Sequence, residues 1–236
     1  MTTPSQPRNS VWDDNPEGYN ALREKQGWLN QRRALYLYDW LVRVAPAGNI
    51  LELGSGHGQL AIQLTQKLPQ LQWTGVDPLP AYIAYARAKA KKHNLESRIR
   101  FLRGQAEQLE TLALQRSFDA IVSSDVLHHI DDIEQALEAA AQVSKKNAQW
   151  CAIEPNALNP YAGFNQWRKP GERNFWPQAF LRTAKRAGWD LIERRTIFLI
   201  PPWIPNPGNG LKKIESKLEG IPFLGGGVAL ILQRRE

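Results

Sequence analysis

The residues of this 236-residue chain best placed to do chemistry are Glu52-Leu53-Gly54-Ser55-Gly56-His57-Gly58, which follow the apolar pair Ile50-Leu51. Glycines at alternate positions let the backbone turn tightly and let a ligand approach with no Cβ in the way. Asp77 stands 23 positions beyond Gly54, after Trp73-Thr74-Gly75-Val76. That is close to the ~20-residue offset at which a carboxylate after the next strand reaches ribose hydroxyls. Loop and acid together describe a site for an adenosine ribose.

Two departures from the dinucleotide fingerprint select among adenosyl cofactors. Gln59 occupies the position of the last fingerprint glycine, which weakens a pyrophosphate cradle. Glu52 would repel a diphosphate but attract a cationic ammonium group. Both favour a sulfonium cofactor over NAD. Gly104-Gln105-Ala106-Glu107 and the run Phe118 to Ile130, which contains Ser124-Asp125-Val126-Leu127-His128-His129, follow in order. With these motifs the chain resembles the class I S-adenosylmethionine-dependent methyltransferases over positions 50–155. The resemblance implies S-adenosylmethionine as cofactor. It implies contacts from Glu52, Gly54, Ser55, Gly56 and Gly58, from Asp77 and Pro78, from Gln105, Ala106 and Glu107 beside the adenine, and from Ser124 and Asp125 after the fourth strand.

Methyl transfer from a sulfonium is an in-line displacement, so positioning can supply most of the catalysis, and a base is needed only when the acceptor carries a proton. His128 and His129 follow the fourth strand, where the site opens, and an imidazole with pKa near ~6.5 can take a hydroxyl proton. His129 is the first candidate and His128 the second. The plainer reading is that this pair starts the next helix and packs beside the cofactor. Glu154, Asn156, Asn159 and Tyr161, past the fifth strand, are the candidate acceptor pocket, against a turn-forming role for the two asparagines. Asp125, Glu154 and Asn156 faintly resemble the magnesium ligands of catechol-type methyltransferases, but Pro155 interrupts them and no metal is expected.

Ser124-Asp125-Val126-Leu127 stands where enzymes that methylate base amino groups carry an Asn/Asp-Pro-Pro-aromatic motif, which disfavours nucleic acid as acceptor. The stretch Thr196-Ile197-Phe198-Leu199-Ile200-Pro201-Pro202-Trp203-Ile204-Pro205, followed by Lys212, Lys213 and Lys217, suits an amphiphilic small molecule and peripheral contact with a membrane. An isoprenoid, lipid-linked or glycosyl hydroxyl is the leading acceptor class. The competing account is that these residues complete the last strands and an oligomer contact. Two other function classes share the glycine loop: an NAD-dependent oxidoreductase, opposed by Gln59 and Glu52, and a module that binds S-adenosylmethionine without turnover.

These residues must be held by a frame, and its pattern is regular. Strands are expected at 49–53, 71–76, 98–102, 118–123 and 149–153, with helices at 58–67, 80–93 and 131–144 between them. Such alternation implies a mainly parallel sheet covered on both faces. A proline-bearing irregular arm at 1–19 and an amphipathic helix at 20–44, divisible at Gly27, precede it. A long loop at 154–176, a helix from Pro177 to Gly188, a strand at 189–199, a short basic helix at 211–218 and a strand at 228–233 follow it. The expected fold is α/β and Rossmann-like, with seven strands and the last antiparallel beside the fifth, as the family resemblance implies. One domain spans 1–236: arm and cap helix to 45, cofactor core 46–155, acceptor side 156–236. A composition of 42% hydrophobic and 22% charged residues fits a globular domain. The net charge of +7 leaves anionic partners open. Cys151 is the only cysteine, so no intramolecular disulfide forms, and with no export signal or ~20-residue apolar run a cytoplasmic location is expected.

Overall fold

A computed structural model describes residues 15–168 and 173–235. Seven strands, β1 (Asn49–Leu53), β2 (Gln72–Asp77), β3 (Ile99–Arg103), β4 (Phe118–Ser124), β5 (Ser144–Pro155), β6 (Trp189–Ile197) and β7 (Gly227–Arg234), form one sheet in the order β3-β2-β1-β4-β5-β7-β6. The pairs among β1 to β5 are parallel, and β7 lies antiparallel between β5 and β6. The antiparallel last strand thus sits beside the fifth, as expected.

The sheet is covered on both faces because its side chains alternate. Ile50 of β1 packs into one core with Leu37 and Leu41 of α2 (Gly27–Val44), Leu64 of α3 (Gln59–Lys67) and Ala86 of α4 (Pro80–Lys92). Leu51 and Leu53 enter the other core, with Leu137 of α5 (Ile133–Val143) and Phe180 of α7 (Pro177–Arg186). Glu52 therefore projects on the same face as Ile50, toward α2 and α3. Cys151 is fully buried in β5, and burial pushes its thiol far above its ordinary pKa. Among the described residues no helix is long and apolar enough to cross a membrane.

The structure corrects four expectations. The arm was expected to be irregular to position 19, but α1 (Pro16–Lys25) begins inside it, with Asn15 Oδ1 accepting the Gly18 N–H at 2.8 Å and Pro16 at the first helical position. Positions 1–14 of that arm lie outside the described residues. The long loop contains α6 (Pro160–Arg168), and the basic helix, α8 (Asn209–Leu218), starts two residues early. β5 begins at Ser144 because Phe118 pairs with it, and a bulge then shifts the register to Ala120–Gln149.

The strand order reverses between β1 and β4, so the helices after these two strands lie on opposite faces and leave a crevice at the carboxyl ends. The glycine loop follows β1 there, and Ser124 ends β4.

Candidate functional site

Gly54, Gly56 and Gly58 all have left-handed φ, 68°, 49° and 74°. A Cβ at Gly54 would lie 2.3 Å from Val126 Cγ2, and one at Gly58 would lie 2.8 Å from Phe101 Cζ. At Gly56 the nearest atom would be 3.9 Å away. Packing and handedness therefore both require glycine at the outer two positions, whereas Gly56 faces open space. Asp77 pins this loop: Oδ2 accepts the Gly56 N–H at 2.8 Å and Oδ1 accepts the Leu79 N–H at 3.0 Å. Its carboxylate lies at the end of β2, where the sequence placed a ribose partner, and Pro78 beside it is exposed. Gln105, Ala106 and Glu107 open a 3-10 turn, Ala106–Leu112, that the Gly104 N–H ties to the Asp77 carbonyl at 3.1 Å.

Three buried polar atoms beside the loop, Ser55 Oγ, His57 Nε2 and Ser124 Oγ, have no hydrogen-bond partner among the described residues. All three residues line one cavity with Glu52, Arg23 and Arg33. Buried polar atoms are nearly always satisfied, so a cluster of orphans marks a place where a polar ligand completes them. Burial, reinforced by Lys89, Arg23 and Arg33, holds the His57 ring down to about 3, so it is neutral at physiological pH.

Glu52 is 3% exposed and accepts the Trp73 indole N–H at 2.9 Å. Burial pushes its carboxyl up to about 8, the Trp73 bond opposing and Asp77 adding. With a folded pKa above the unfolded 4.5, its stabilising contribution is complete below about 4.5 and is lost as pH rises through about 8. An ammonium beside it favours the charged form, so cofactor affinity should instead rise with pH through the same window. Glu52→Gln is expected to flatten both trends, measured as melting temperature and as S-adenosylmethionine Kd between pH 5 and 9. Unchanged pH slopes would remove Glu52 from the site.

Sequence reasoning missed two cations. Arg23 and Arg33 reach Asp125 Oδ2 at 3.1 and 2.6 Å, and Asp125 itself has a φ of 55°. Burial alone would raise the Asp125 carboxyl, but Arg33 and Arg23 hold it at about 2. Arg33 is 3% exposed, lies against the Phe198 ring at 5.5 Å and keeps a buried Nε with no partner among the described residues. The visible signal was a charge on the apolar face of α2, four residues from both Leu29 and Leu37. Asp125 thus anchors the cap helices over the site. The donor set fits S-adenosylmethionine: a buried acid suits its ammonium, an orphan guanidinium N–H its carboxylate, and Asp77 its ribose.

The candidate acceptor residues have partners within the fold. Glu154 is 1% exposed, and its Oε1 accepts the Val126 and Leu127 N–H groups, both at 2.9 Å, while Oε2 meets His128 Nδ1 at 2.6 Å. Asn156 is fully buried and donates Nδ2 to the carbonyls of Pro222 and Gly225. Asn159 donates to those of Phe223 and Leu224 and accepts the Ala162 N–H. These three are pins of the scaffold. Tyr161 is half exposed and meets Trp203 edge to face at 5.1 Å. His128 is buried in the 3-10 turn Leu127–His129, whereas His129 is exposed, its ring centroid 4.1 Å from that of His128. Asp132 caps α5 through the Gln135 N–H at 2.9 Å. Among the described residues no group of three or more His, Cys, Asp or Glu side chains could hold a metal.

Comparison with known proteins agrees with this geometry. Residues 50–147 match a family described as a methyltransferase domain. Demethylmenaquinone methyltransferase of Thermus thermophilus is 35% identical over 124 residues, 52% of this chain and 53% of that one. The matches thus span about half of that relative, and far less of a matching nonribosomal peptide synthetase. An S-adenosylmethionine-dependent methyltransferase of Thermotoga maritima superimposes with a TM-score of 0.69 at 18% identity, over 96% of this chain and 98% of the other. Geranyl diphosphate methyltransferase with bound S-adenosylmethionine gives 0.67 at 14% identity, over 98% and 93%. Sheet order and glycine loop define the class: a Rossmann-like fold of the methyltransferase type. Over residues 50–147 the chain is thus similar to methyltransferase domains, its fold is one it shares with S-adenosylmethionine-dependent methyltransferases, and the donor set beside its glycine loop fits S-adenosylmethionine.

Proposed function

We propose that the chain transfers a methyl group to a hydroxyl oxygen of a small amphiphilic acceptor of the isoprenoid or lipid-linked kind. The observation that carries the reading is the group of polar atoms with no partner among the described residues, Ser55 Oγ, His57 Nε2 and Ser124 Oγ, lining one cavity where β1 and β4 end. When bound there, S-adenosylmethionine supplies an electrophilic methyl group. Glu52 and Arg33 orient the charged end of the cofactor, Asp77 its ribose, and α1 and α2 exclude water from above. An exposed His129 ring after β4 accepts the hydroxyl proton, and Glu154, through His128, holds the turn that carries it. Support for an apolar acceptor comes from Phe198 against Arg33 and from two relatives named for demethylmenaquinone and geranyl diphosphate.

Incubation with methyl-labelled S-adenosylmethionine and source-cell extract should place label in the organic-soluble fraction. Label confined to protein or nucleic acid would sink the acceptor class, and no label despite tight binding would leave a non-catalytic module. His129→Ala should lower kcat about 100-fold with cofactor Kd unchanged, and should remove the acidic limb of the pH profile. An unaltered kcat would mean that no proton passes through this ring.

A further inference from the structure

Large apolar side chains scattered over a surface are ordinary, but gathered together they mark a contact. On α6, Tyr161, Phe164 and Trp167 are 50%, 53% and 74% exposed, and steps of three residues keep them on one side of the helix. Asn159 fixes the turn carrying exposed Phe223 and Leu224 beside that helix through two hydrogen bonds. Trp203 joins through its ring contact with Tyr161. Leu211, Ile214 and Leu218 of α8 are also exposed, and the chain runs from Leu218 directly into the same turn.

The orientation of α8 is the informative point. A surface helix ordinarily buries its apolar stripe. Here the buried residue is Glu215, which accepts from Trp28 Nε1 at 2.8 Å and from the Leu199 and Ile200 N–H groups at 3.0 and 3.1 Å. That anchor turns Leu211, Ile214 and Leu218 outward.

Charge narrows the choice of partner. Segments 155–168 and 199–224 contain two acids, Glu215 and Glu219, and both are buried; Glu219 pairs with Arg32 and Arg195. Neither segment exposes a carboxylate, whereas Arg168, Lys213 and Lys217 are exposed and Lys212 lies over the Trp28 ring. Aromatic and aliphatic side chains bordered by cations, with no acid among them, suit the headgroup layer of an anionic bilayer.

We propose that α6, α8 and the loops around Trp203 and Phe223 dock this protein on an anionic lipid surface. Docking is independent of methyl transfer. Full-length protein should co-sediment with vesicles of phosphatidylcholine containing about 30% phosphatidylglycerol at least about 10-fold more tightly than with phosphatidylcholine alone, and salt should weaken the binding. Phe164→Ser with Trp167→Ser should abolish it, and Lys213→Gln with Lys217→Gln should weaken it about 20-fold. All four side chains are exposed, so melting temperature and S-adenosylmethionine binding should stay at wild-type values. No binding to anionic vesicles at low salt, or wild-type binding by both double variants, overturns the proposal. A dimer that fails to bind vesicles and that Phe164→Ser with Trp167→Ser converts to a monomer would assign the face to a second copy of the chain.

Discussion

Gly56→Arg is expected to yield a folded protein that has lost S-adenosylmethionine binding by at least about 100-fold, or roughly 2.7 kcal/mol. The fold tolerates the change because a Cβ at this position has no neighbour nearer than 3.9 Å. The left-handed φ of 49° costs about 1–2 kcal/mol for a side-chain-bearing residue, a fall of a few degrees in melting temperature for a domain this size. Binding does not tolerate it, because the arginine fills the open space that the loop presents at the ends of β1 and β4. Gly54→Ala would be a poorer probe. Its Cβ strikes Val126, so folding and binding would fail together. Calorimetry with S-adenosylmethionine, alongside a melting curve, separates the cases. Binding within about threefold of wild type would remove the glycine loop from the cofactor site.

How far the sequence was legible depends on which signal each element carried. The central strands were placed within two residues, except that β5 starts five residues early, because long-range pairing and local pattern agree there: Ile50, Leu51 and Leu53 are apolar and flanked by glycine. The two helix starts hidden in expected loops share one cause. Asn15-Pro16 and Asn159-Pro160 were both read as loop, yet each starts a helix, the asparagine accepting an N–H from the first turn and proline taking the first helical position. Asn-Pro serves turns and helix starts equally well, and the periodic stretch that follows is too short in each case to decide. The helix from Pro177 is legible because Gly188 closes the run that this proline opens. The site shows the same division. Backbone-encoded parts, glycines and the acid after β2, could be read from spacing, whereas Arg23 and Arg33 reach Asp125 from about 100 positions away. Glu154, one residue from the end of β5, reads as a ligand contact, and only the 3-10 turn bonded to it reveals that it faces inward.

That inward role leads to the second large effect. Glu154→Ala is expected to destabilise the fold by about 3–5 kcal/mol, a fall of roughly 10 °C in melting temperature. The carboxylate is the shared acceptor for the Val126 and Leu127 N–H groups and for His128 Nδ1, and Glu154 is 1% exposed. Removing it strands three donors in the interior, and a buried donor without a partner costs the full desolvation of the group. Arg173 grips the same turn from outside, donating to the His128 and Ile130 carbonyls at 2.8 Å each, so the turn should loosen rather than unfold alone. Glu154→Gln should be milder: its oxygen still accepts both backbone N–H groups, and its amide can donate to a His128 ring protonated on the other nitrogen. If Glu154 instead touched the acceptor, Glu154→Ala would raise KM with the melting temperature unmoved. The order Ala far below Gln below wild type in melting temperature, with kcat falling in step as the His129 ring loses its position, therefore distinguishes a pin of the site from a part of the pocket.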